Sequence, residues 1–304
     1  YAMLAGLPPV VGLYASIAPL VAYALFGSSR VLAVGPVAVV SLMTATALRD
    51  VAAPGSPEYV AAALLLAGLS GLILAAMGVL RLGFLANVLS HPVISGFVTA
   101  SGILIAASQL KHLLGVTAGG GTLPEMLLSL ARALPATSWP TLAIGLSVLV
   151  FLVTARQRLG GWLRAAGLPP GPAGILVKTA PLAAILGSTL LTSALTLEDA
   201  GVRTVGTIPA GLPPLGLPPL DMALALTLLP TAALISLVGF VESVSVAQTL
   251  AARRRQRIVP DQELVGLGAA NLAAAVTGGY PVTGGFARSV VNADAGARTP
   301  MAGV

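Results

Sequence analysis

The sequence has no cysteine and few charged residues, and each shortage excludes a class of protein. Without cysteine, the chain can form no disulfide bond, no cysteine-ligated metal site and no thiol nucleophile. Charged residues make up only 9% of the 304 positions, whereas soluble domains carry about 25%. Because 56% of the residues are hydrophobic and the mean hydropathy is +0.95, the composition indicates an integral membrane protein.

The sequence is also poor in residues that support enzymatic chemistry. Its two histidines, His91 and His112, stand apart, so no metal-ligand cluster and no metal cofactor are predicted. No Ser/His/Asp set or paired carboxylate site supports a membrane enzyme. The net charge of +6 comes from short basic clusters between apolar segments. This pattern indicates membrane orientation and not nucleic-acid binding.

Apolar segments recur along the chain, and many approach the length of about 20 residues that crosses a bilayer. They cover residues 1–6, 10–26, 59–80, 92–114, 140–154, 174–195, 222–252 and 264–278. Residues 122–133 are predicted to form an amphipathic connector, and 201–220 are rich in proline and glycine. Because the chain begins at Tyr1 and stops at Val304 within this pattern, we expect it to be a fragment of a longer protein.

The basic residues between the spans lie mainly on one side of the predicted membrane. With successive loops assigned to alternate sides, ten fall on one side and four on the other. The ten are Arg30, Arg81, Arg156, Arg158, Arg164, Lys178, Arg253, Arg254, Arg255 and Arg257, and the four are Arg49, Lys111, Arg132 and Arg203. The excess predicts that the first side faces the cytoplasm of a multi-pass protein in the inner (plasma) membrane.

Two helical segments are too short to span the bilayer, one beginning near Pro36 and the other near Phe286. Residues 31–34 and 279–281 precede them as extended or irregular lead-ins, and Pro36 is expected at the first helical position with Gly35 as the cap. Such backbone at membrane depth requires cover by protein or a cavity. Inverted-repeat transporters direct the starts of such half-helices at the substrate. Two kinked but continuous helices are the alternative, which the charge count disfavours.

Arg288 follows two glycines, Gly284 and Gly285, at the start of the second short helix. The free N–H groups of a first helical turn beside a guanidinium form a site suited to an anion. A surface loop that carries an isolated arginine is the alternative interpretation.

Several blocks of this sequence resemble the SulP family of anion transporters, the sulfate-permease-like proteins. They are residues 2–9, 12–14, 26–30, 34–39, 41–43, 91–97, 109–111, 239–243 and 284–289. The resemblance implies an all-α polytopic membrane protein with a seven-plus-seven inverted-repeat fold, like that of uracil permease, truncated here after about ten segments. It also implies a core domain (about 1–80 and 222–304), a gate domain (about 90–200), a homodimer, and a C-terminal STAS domain outside this chain.

The resemblance implies the residues of the second half-helix that bind substrate. Arg288 matches the family's anion-binding arginine, Phe286 is expected to line the pocket, and Ser289 is included in the same substrate site. Ala287 stands where several relatives have serine. We therefore expect backbone N–H groups and the Arg288 guanidinium to carry more of the binding.

The opposing half-helix and the first segment complete the expected site. Pro36, Val37 and Ala38 are expected to offer N–H groups to the anion. Tyr1 matches an aromatic pocket position of the family, with a tyrosine at the membrane interface as the alternative.

Glu242 is an acidic residue in the middle of an apolar span. A charge at this depth is costly and marks a functional site. It either carries a coupled proton, which we favour, or serves as the fixed counter-ion of Arg288. Sodium-dependent members of the family have an Asp and a nearby Thr here. Glu242 and Val246 depart from that pattern, which disfavours a sodium site and leaves the proton as the expected coupling ion.

These features predict secondary active transport of a small inorganic or carboxylate anion, namely sulfate, bicarbonate or a dicarboxylate, by proton-coupled alternating access. An anion channel or uncoupled exchanger is the first alternative. A nucleobase permease of the same fold is the second, and Arg288 disfavours it because those proteins bind the base through carboxylates.

Overall fold

The computed structural model describes residues 1–87, 91–120, 122–204, 211, 213–218 and 221–304. The α-helices in these ranges are α1 (Pro9–Tyr14), α2 (Ala18–Phe26), α3 (Ala38–Leu48), α4 (Pro57–Val79), α5 (His91–Leu114), α6 (Leu123–Ala133), α7 (Trp139–Thr154), α8 (Gly160–Ala165), α9 (Pro170–Ala194), α10 (Met222–Arg253), α11 (Pro260–Val276) and α12 (Phe286–Asp294). Short 3₁₀ turns occur at Met3–Ala5, Leu82–Asn87, Leu134–Ala136 and Pro300–Gly303. Two strands, β1 (Val34–Gly35) and β2 (Thr283–Gly284), complete the described elements.

Within the described ranges, five helical stretches are long and apolar enough to cross a membrane. They are Pro9–Phe26, Pro57–Val79, Trp139–Ala165, Pro170–Ala194 and Met222–Ala252. The prediction of a polytopic helical membrane protein agrees with these stretches. Nine residues of the predicted stretch 201–220 lie outside the described residues, as do most side chains of the 91–97 block.

Two predicted spans have different boundaries in the structure. The span predicted at 10–26 is divided into α1 and α2 because Pro19, in the first turn of α2, has no N–H to continue the helical ladder. The span predicted to end at Thr154 instead continues through a π-helical turn, Ala155–Leu159, into α8. Arginine favours helix, so the basic residues there do not stop it. The helix ends near Gly167, whose φ of 90° lies in the left-handed region.

The chain divides into two compact units. One contains Tyr1–Thr99 and Thr207–Val304, and the other contains Ala100–Gly206. The first unit holds both short helices and both strands, and the second holds most of α5 and all of α6 to α9. The functional roles of these units as core and gate remain a prediction.

Glycines let α4 and α11 pack closely inside the first unit. A Cβ at Gly71 would lie 2.7 Å from the Leu272 backbone nitrogen, and one at Gly268 would lie 2.7 Å from the Ala75 backbone nitrogen. In a membrane, small residues permit this close approach of helix backbones. The α4–α11 pair therefore forms a rigid base for the segments that lead to α3 and α12.

Candidate functional site

The two strands bring the starts of the short helices α3 and α12 together. They pair antiparallel, with Val34 opposite Gly284 and Gly35 opposite Thr283. The Gly285 N–H also donates to the Ala33 carbonyl oxygen at 3.2 Å. All of these residues are buried, and buried backbone groups require such partners. The expected extended lead-ins are therefore present, although the strands lie nearer the helices than residues 31–34 and 279–281.

The start of α3 differs from the prediction at Pro36. The helix begins at Ala38, and Val37 is its N-cap in an extended conformation with φ −129° and ψ 147°. The predicted first helical position for Pro36 is therefore wrong, because extended backbone continues for two residues beyond β1. Pro36 also lacks an N–H and cannot donate one to an anion. The first-turn donors are instead the N–H groups of Ala38, Val39 and Val40.

Neither short helix has a side-chain cap. Val37 caps α3 and Gly285 caps α12, and among the described residues no side chain accepts a hydrogen bond from the first turn of either helix. Both starts therefore present N–H groups and the positive end of a helix dipole. Two such helix starts joined by one small sheet form an arrangement suited to an anion.

Arg288 on α12 reaches across to the lead-in of α3. Its guanidinium lies against Gly35, where a Cβ would collide with Nη1 and would lie 3.2 Å from Cζ. The Arg288 side chain is exposed. No carboxylate in the described ranges forms an ion pair with it. The structure thus brings Arg288 and Gly35 together and leaves the guanidinium able to bind an anionic ligand.

The other predicted residues of α12 fall into two groups. Phe286 and Ala287 are exposed beside Arg288, and 49% of Phe286 is accessible. Ser289 is fully buried, accepts a hydrogen bond from the Ala33 N–H at 3.0 Å and donates one to the Gly285 carbonyl oxygen at 2.7 Å. The Ser289 hydroxyl therefore joins α12 to the β1 lead-in in this conformation, and its substrate-binding role stays a prediction.

Tyr1 stands at the edge of the first unit. Its side chain is 53% exposed, and its carbonyl oxygen accepts from the Ala5 N–H at 3.0 Å. The 3₁₀ turn Met3–Ala5 that follows packs against α3. This location is compatible with the predicted pocket role of Tyr1, which stays a prediction.

Polar side chains of α10 hold β2 in place. The Thr283 hydroxyl donates to the Gly239 carbonyl oxygen at 2.7 Å, and its oxygen lies 2.7 Å from Ser243 Oγ. The Gly284 N–H donates to Ser243 Oγ at 2.8 Å. Sequence reasoning did not assign roles to Ser243 and Thr283, although both border segments that it singled out. They fix the backbone that leads into α12.

The irregular segment before β2 is also braced by side chains. Asn271 on α11 donates to the Val282 carbonyl oxygen at 2.9 Å and accepts from the Val282 N–H at 3.0 Å. The Tyr280 hydroxyl lies 2.9 Å from Ser41 Oγ on α3. All three side chains are buried, and sequence reasoning missed them because an Asn, Tyr or Ser in an apolar segment carries no distinctive motif. They give the extended backbone the partners it needs at membrane depth.

Glu242 is the neighbour of Ser243 on α10, and its environment differs from that of its polar neighbours. Its Oε2 atom is buried and has no hydrogen-bond partner among the described residues. It forms no ion pair with Arg288, so the predicted counter-ion contact is not present in this conformation. An unpartnered polar atom in a buried position is costly, and in a membrane span it indicates function.

The whole chain is similar to one protein family and to known transporters of plants and bacteria. The Sulfate permease family matches residues 1–304. Over 306 residues the chain is 40% identical to the chloroplastic sulfate transporter 4.1 of Arabidopsis thaliana, covering 100% of this chain and 43% of that protein. Over 301 residues it is 38% identical to a probable sulfate transporter of Mycobacterium tuberculosis, covering 99% and 51%. The chain thus spans about half the length of these relatives.

Solved structures have the same fold. An SLC26A9 structure matches with a TM-score of 0.83 and 25% identity, over 99% of this chain and 48% of that chain. The transmembrane domain of a cyanobacterium bicarbonate transporter, BicA, matches with a TM-score of 0.79 and 23% identity, over 99% and 74%. These matches agree with the resemblance stated from the sequence blocks, and the similar proteins are transporters and not enzymes.

Proposed function

The chain belongs to the sulfate permease family, and we propose that it forms the part of a secondary transporter that binds a small anion and carries it across the membrane. Sulfate is the first substrate to test, because both curated relatives named above are described as sulfate transporters. Bicarbonate and dicarboxylates remain in the proposal as competing substrates. The site chemistry requires only a compact anion that can accept several hydrogen bonds.

The pairing of β1 with β2 is the observation that carries this proposal. It holds two helix starts without side-chain caps next to each other and brings the Arg288 guanidinium over Gly35. Preformed N–H donors and one cation need little rearrangement to bind an anion. The ligand set proposed here contains Arg288 and the first-turn N–H groups of α3 and α12, with Phe286, Ala287 and Tyr1 as neighbours.

Transport also requires that the site open to each side of the membrane in turn. We propose that the unit carrying α3, α10 and α12 moves as a body while the 100–206 unit serves as the gate. The extensive hydrogen bonding of the strands to α10 and α11 supports rigid-body motion of the first unit. A homodimer in the plasma membrane completes the proposal.

Glu242 is proposed as the proton-coupling residue. The counter-ion alternative requires contact with Arg288, which is absent here. Proton coupling requires only that the Glu242 carboxyl group can gain and lose a proton. Glu242 adjoins Ser243, which hydrogen-bonds Gly284 on β2. A change of charge at Glu242 therefore occurs next to Ser243, the residue that fixes β2 and with it the start of α12.

The test of the anion site is sulfate binding and uptake by the full-length protein in proteoliposomes. Arg288→Ala removes the guanidinium, and we expect loss of sulfate affinity by at least about tenfold, since charge-assisted hydrogen bonds are about twice as strong as neutral ones. Arg298→Ala, an exposed arginine beyond the end of α12, is the matched control and should bind sulfate normally. Unchanged sulfate affinity in Arg288→Ala would reject the site.

Substrate identity is tested by competition. Sulfate, bicarbonate, chloride, fumarate and succinate are each added against labelled sulfate. Sulfate should compete most strongly, and stronger competition by another anion would replace it as the substrate. Competition by none of them would contradict anion transport.

A further inference from the structure

A second cationic cavity lies in the first compact unit. It has a volume of about 160 Å³ and is lined by residues 28–31, Ala251 and residues 256–258. Its walls come from the segment after α2, the end of α10 and the loop that leads to α11. None of its lining residues belongs to the anion site formed by α3 and α12.

Two arginines, Arg30 and Arg257, give this cavity its charge. Both are exposed, and within the described ranges neither forms an ion pair or a side-chain hydrogen bond. The Gln256 side chain adds a neutral amide to the same lining. Arginine presents a planar set of N–H donors that matches phosphate oxygens two at a time. Two unpaired guanidiniums at one cavity therefore favour a ligand with several anionic oxygens.

The acid that contacts the cavity wall, Glu263, is bound to neutral groups. Glu263 does not line the cavity, and its carboxylate accepts hydrogen bonds from Ser28 and Ser29 on the cavity wall and from Tyr23 behind it. It offsets part of the arginine charge at a distance but forms no ion pair with either arginine. The charged side chains that line the cavity are Arg30 and Arg257, so the lining itself is positive.

The cavity walls are held together without using the two arginines. The Val259 N–H donates to Ser28 Oγ at 3.1 Å, which joins the loop before α11 to the segment after α2. The Gln262 amide donates to the Phe26 carbonyl oxygen. The Ser28 and Ser29 bonds to Glu263 add a further connection between the same two segments. Arg30 and Arg257 are therefore carried on a preformed frame.

We propose that this cavity binds a phosphate group, supplied either by the headgroup of an anionic lipid or by free inorganic phosphate. Its volume of about 160 Å³ exceeds the space that several waters need, which leaves room for one phosphate group. The cavity lies where α2 and α10 end, on the side that the arginine count assigns to the cytoplasm. Basic pockets between membrane helices on that side bind lipid headgroups.

The test measures binding of inorganic phosphate to the full-length protein in nonionic detergent by calorimetry. All variants carry Arg288→Ala, so that phosphate entering the proposed substrate site does not contribute. Arg30→Gln and Arg257→Gln should each weaken phosphate binding by at least about tenfold. Arg255→Gln, a neighbouring exposed arginine outside the cavity lining, is the matched control and should leave binding unchanged.

A second arm separates the two sources of phosphate. The same variants are placed in phosphatidylcholine nanodiscs with a small fraction of phosphatidic acid, and retained lipid is counted by native mass spectrometry. Retention that depends on Arg30 and Arg257, without calorimetric binding of free phosphate, identifies the lipid headgroup. Binding of both probes that is equal in all variants, with thermal unfolding showing every variant folded, would overturn the proposal.

Discussion

Two acidic side chains lie inside the same compact unit, and their hydrogen-bonding environments are opposite. Glu263 on α11 is fully buried, and its carboxylate accepts four hydrogen bonds, from Tyr23 Oη at 2.7 Å, Ser28 N at 2.9 Å, Ser28 Oγ at 2.6 Å and Ser29 N at 2.8 Å. Glu242 on α10 has a buried Oε2 with no partner in the described ranges. The first carboxylate is surrounded by donors, and the second is not.

The difference shows that Glu263 has a structural role, whereas Glu242 keeps its proposed role in proton coupling. Glu263 joins α11 to the end of α2, and Ser29, which donates to it, also accepts from the Leu32 N–H at 3.2 Å just before β1. It therefore anchors the lead-in of α3. Its four donors make the Glu263 carboxylate part of the support of these segments. Glu242 lacks such donors, so its charge can change without breaking the frame.

The largest effect that tests this contrast is the loss of folding stability expected when Glu263 is removed. Glu263→Ala leaves the donors of buried Tyr23 and Ser29 and of half-buried Ser28 without an acceptor, and each unsatisfied buried group costs about 1–3 kcal/mol. We expect a loss of at least about 4 kcal/mol of stability and poor recovery of folded protein. The measurement is thermal unfolding in detergent after size-exclusion chromatography.

Glu242→Ala is the matched control for that measurement, because it removes an acid with an unpartnered oxygen. It should unfold at or above the wild-type temperature. If the two alanine variants lose equal stability, the contrast between the two acids is wrong.

The second effect concerns transport and not folding. For one coupled proton, a pH difference of one unit drives an accumulation ratio of up to about ten at zero membrane potential. Wild-type proteoliposomes should accumulate sulfate under an inward proton gradient, and Glu242→Gln, which cannot exchange a proton, should not. Sulfate binding by the variant should persist, since Arg288 and the helix starts are unchanged.

Uptake that ignores the gradient in the wild type would remove proton coupling and leave an uncoupled exchanger or channel. Gradient-driven uptake that survives in Glu242→Gln would assign the proton to another group. Glu58→Gln, the same change at an exposed acid in the first turn of α4, is the matched control and should keep gradient-driven uptake.

The smallest effect comes from removing a single donor. Tyr23→Phe deletes one hydrogen bond to the Glu263 carboxylate, and bonds to charged groups contribute about 1.5–3 kcal/mol. Tyr280→Phe deletes one neutral contact with Ser41, whose hydroxyl still donates to the Val37 carbonyl oxygen, and should cost about 1 kcal/mol. Thermal unfolding of both variants compares them. A larger loss for Tyr280→Phe would show that Glu263 does not hold a charge-assisted network.

Much of the fold was accessible from local patterns. Apolar stretches indicated the membrane helices, and α4, α10 and α12 begin within two residues of their expected starts. The boundary errors arose where local signals compete. Pro36 suggested a helix start, but pairing of β1 with β2 keeps the backbone extended through Val37. Arg156 and Arg158 suggested a helix end, although arginine is compatible with helix.

The candidate site was predicted less completely. The family resemblance pointed to Arg288, but not to its contact with Gly35 or to the inward hydrogen bonds of Ser289. Glu263 received no attention because it follows a basic loop, where an acid is ordinarily solvated. Its neighbours in the structure are distant in sequence, so no local pattern reveals them.

The sequence by itself determined that this protein lies in a membrane, where its helices are interrupted and which arginine stands at a helix start. These properties depend on composition and short-range order, since bilayer length and backbone satisfaction act on contiguous residues. Only the tertiary structure decided which helix starts meet and which acid has donors. Tyr23 and Glu263 are 240 residues apart, and Ala33 and Ser289 are 256 apart. Contacts over such separations form only when the chain folds back on itself.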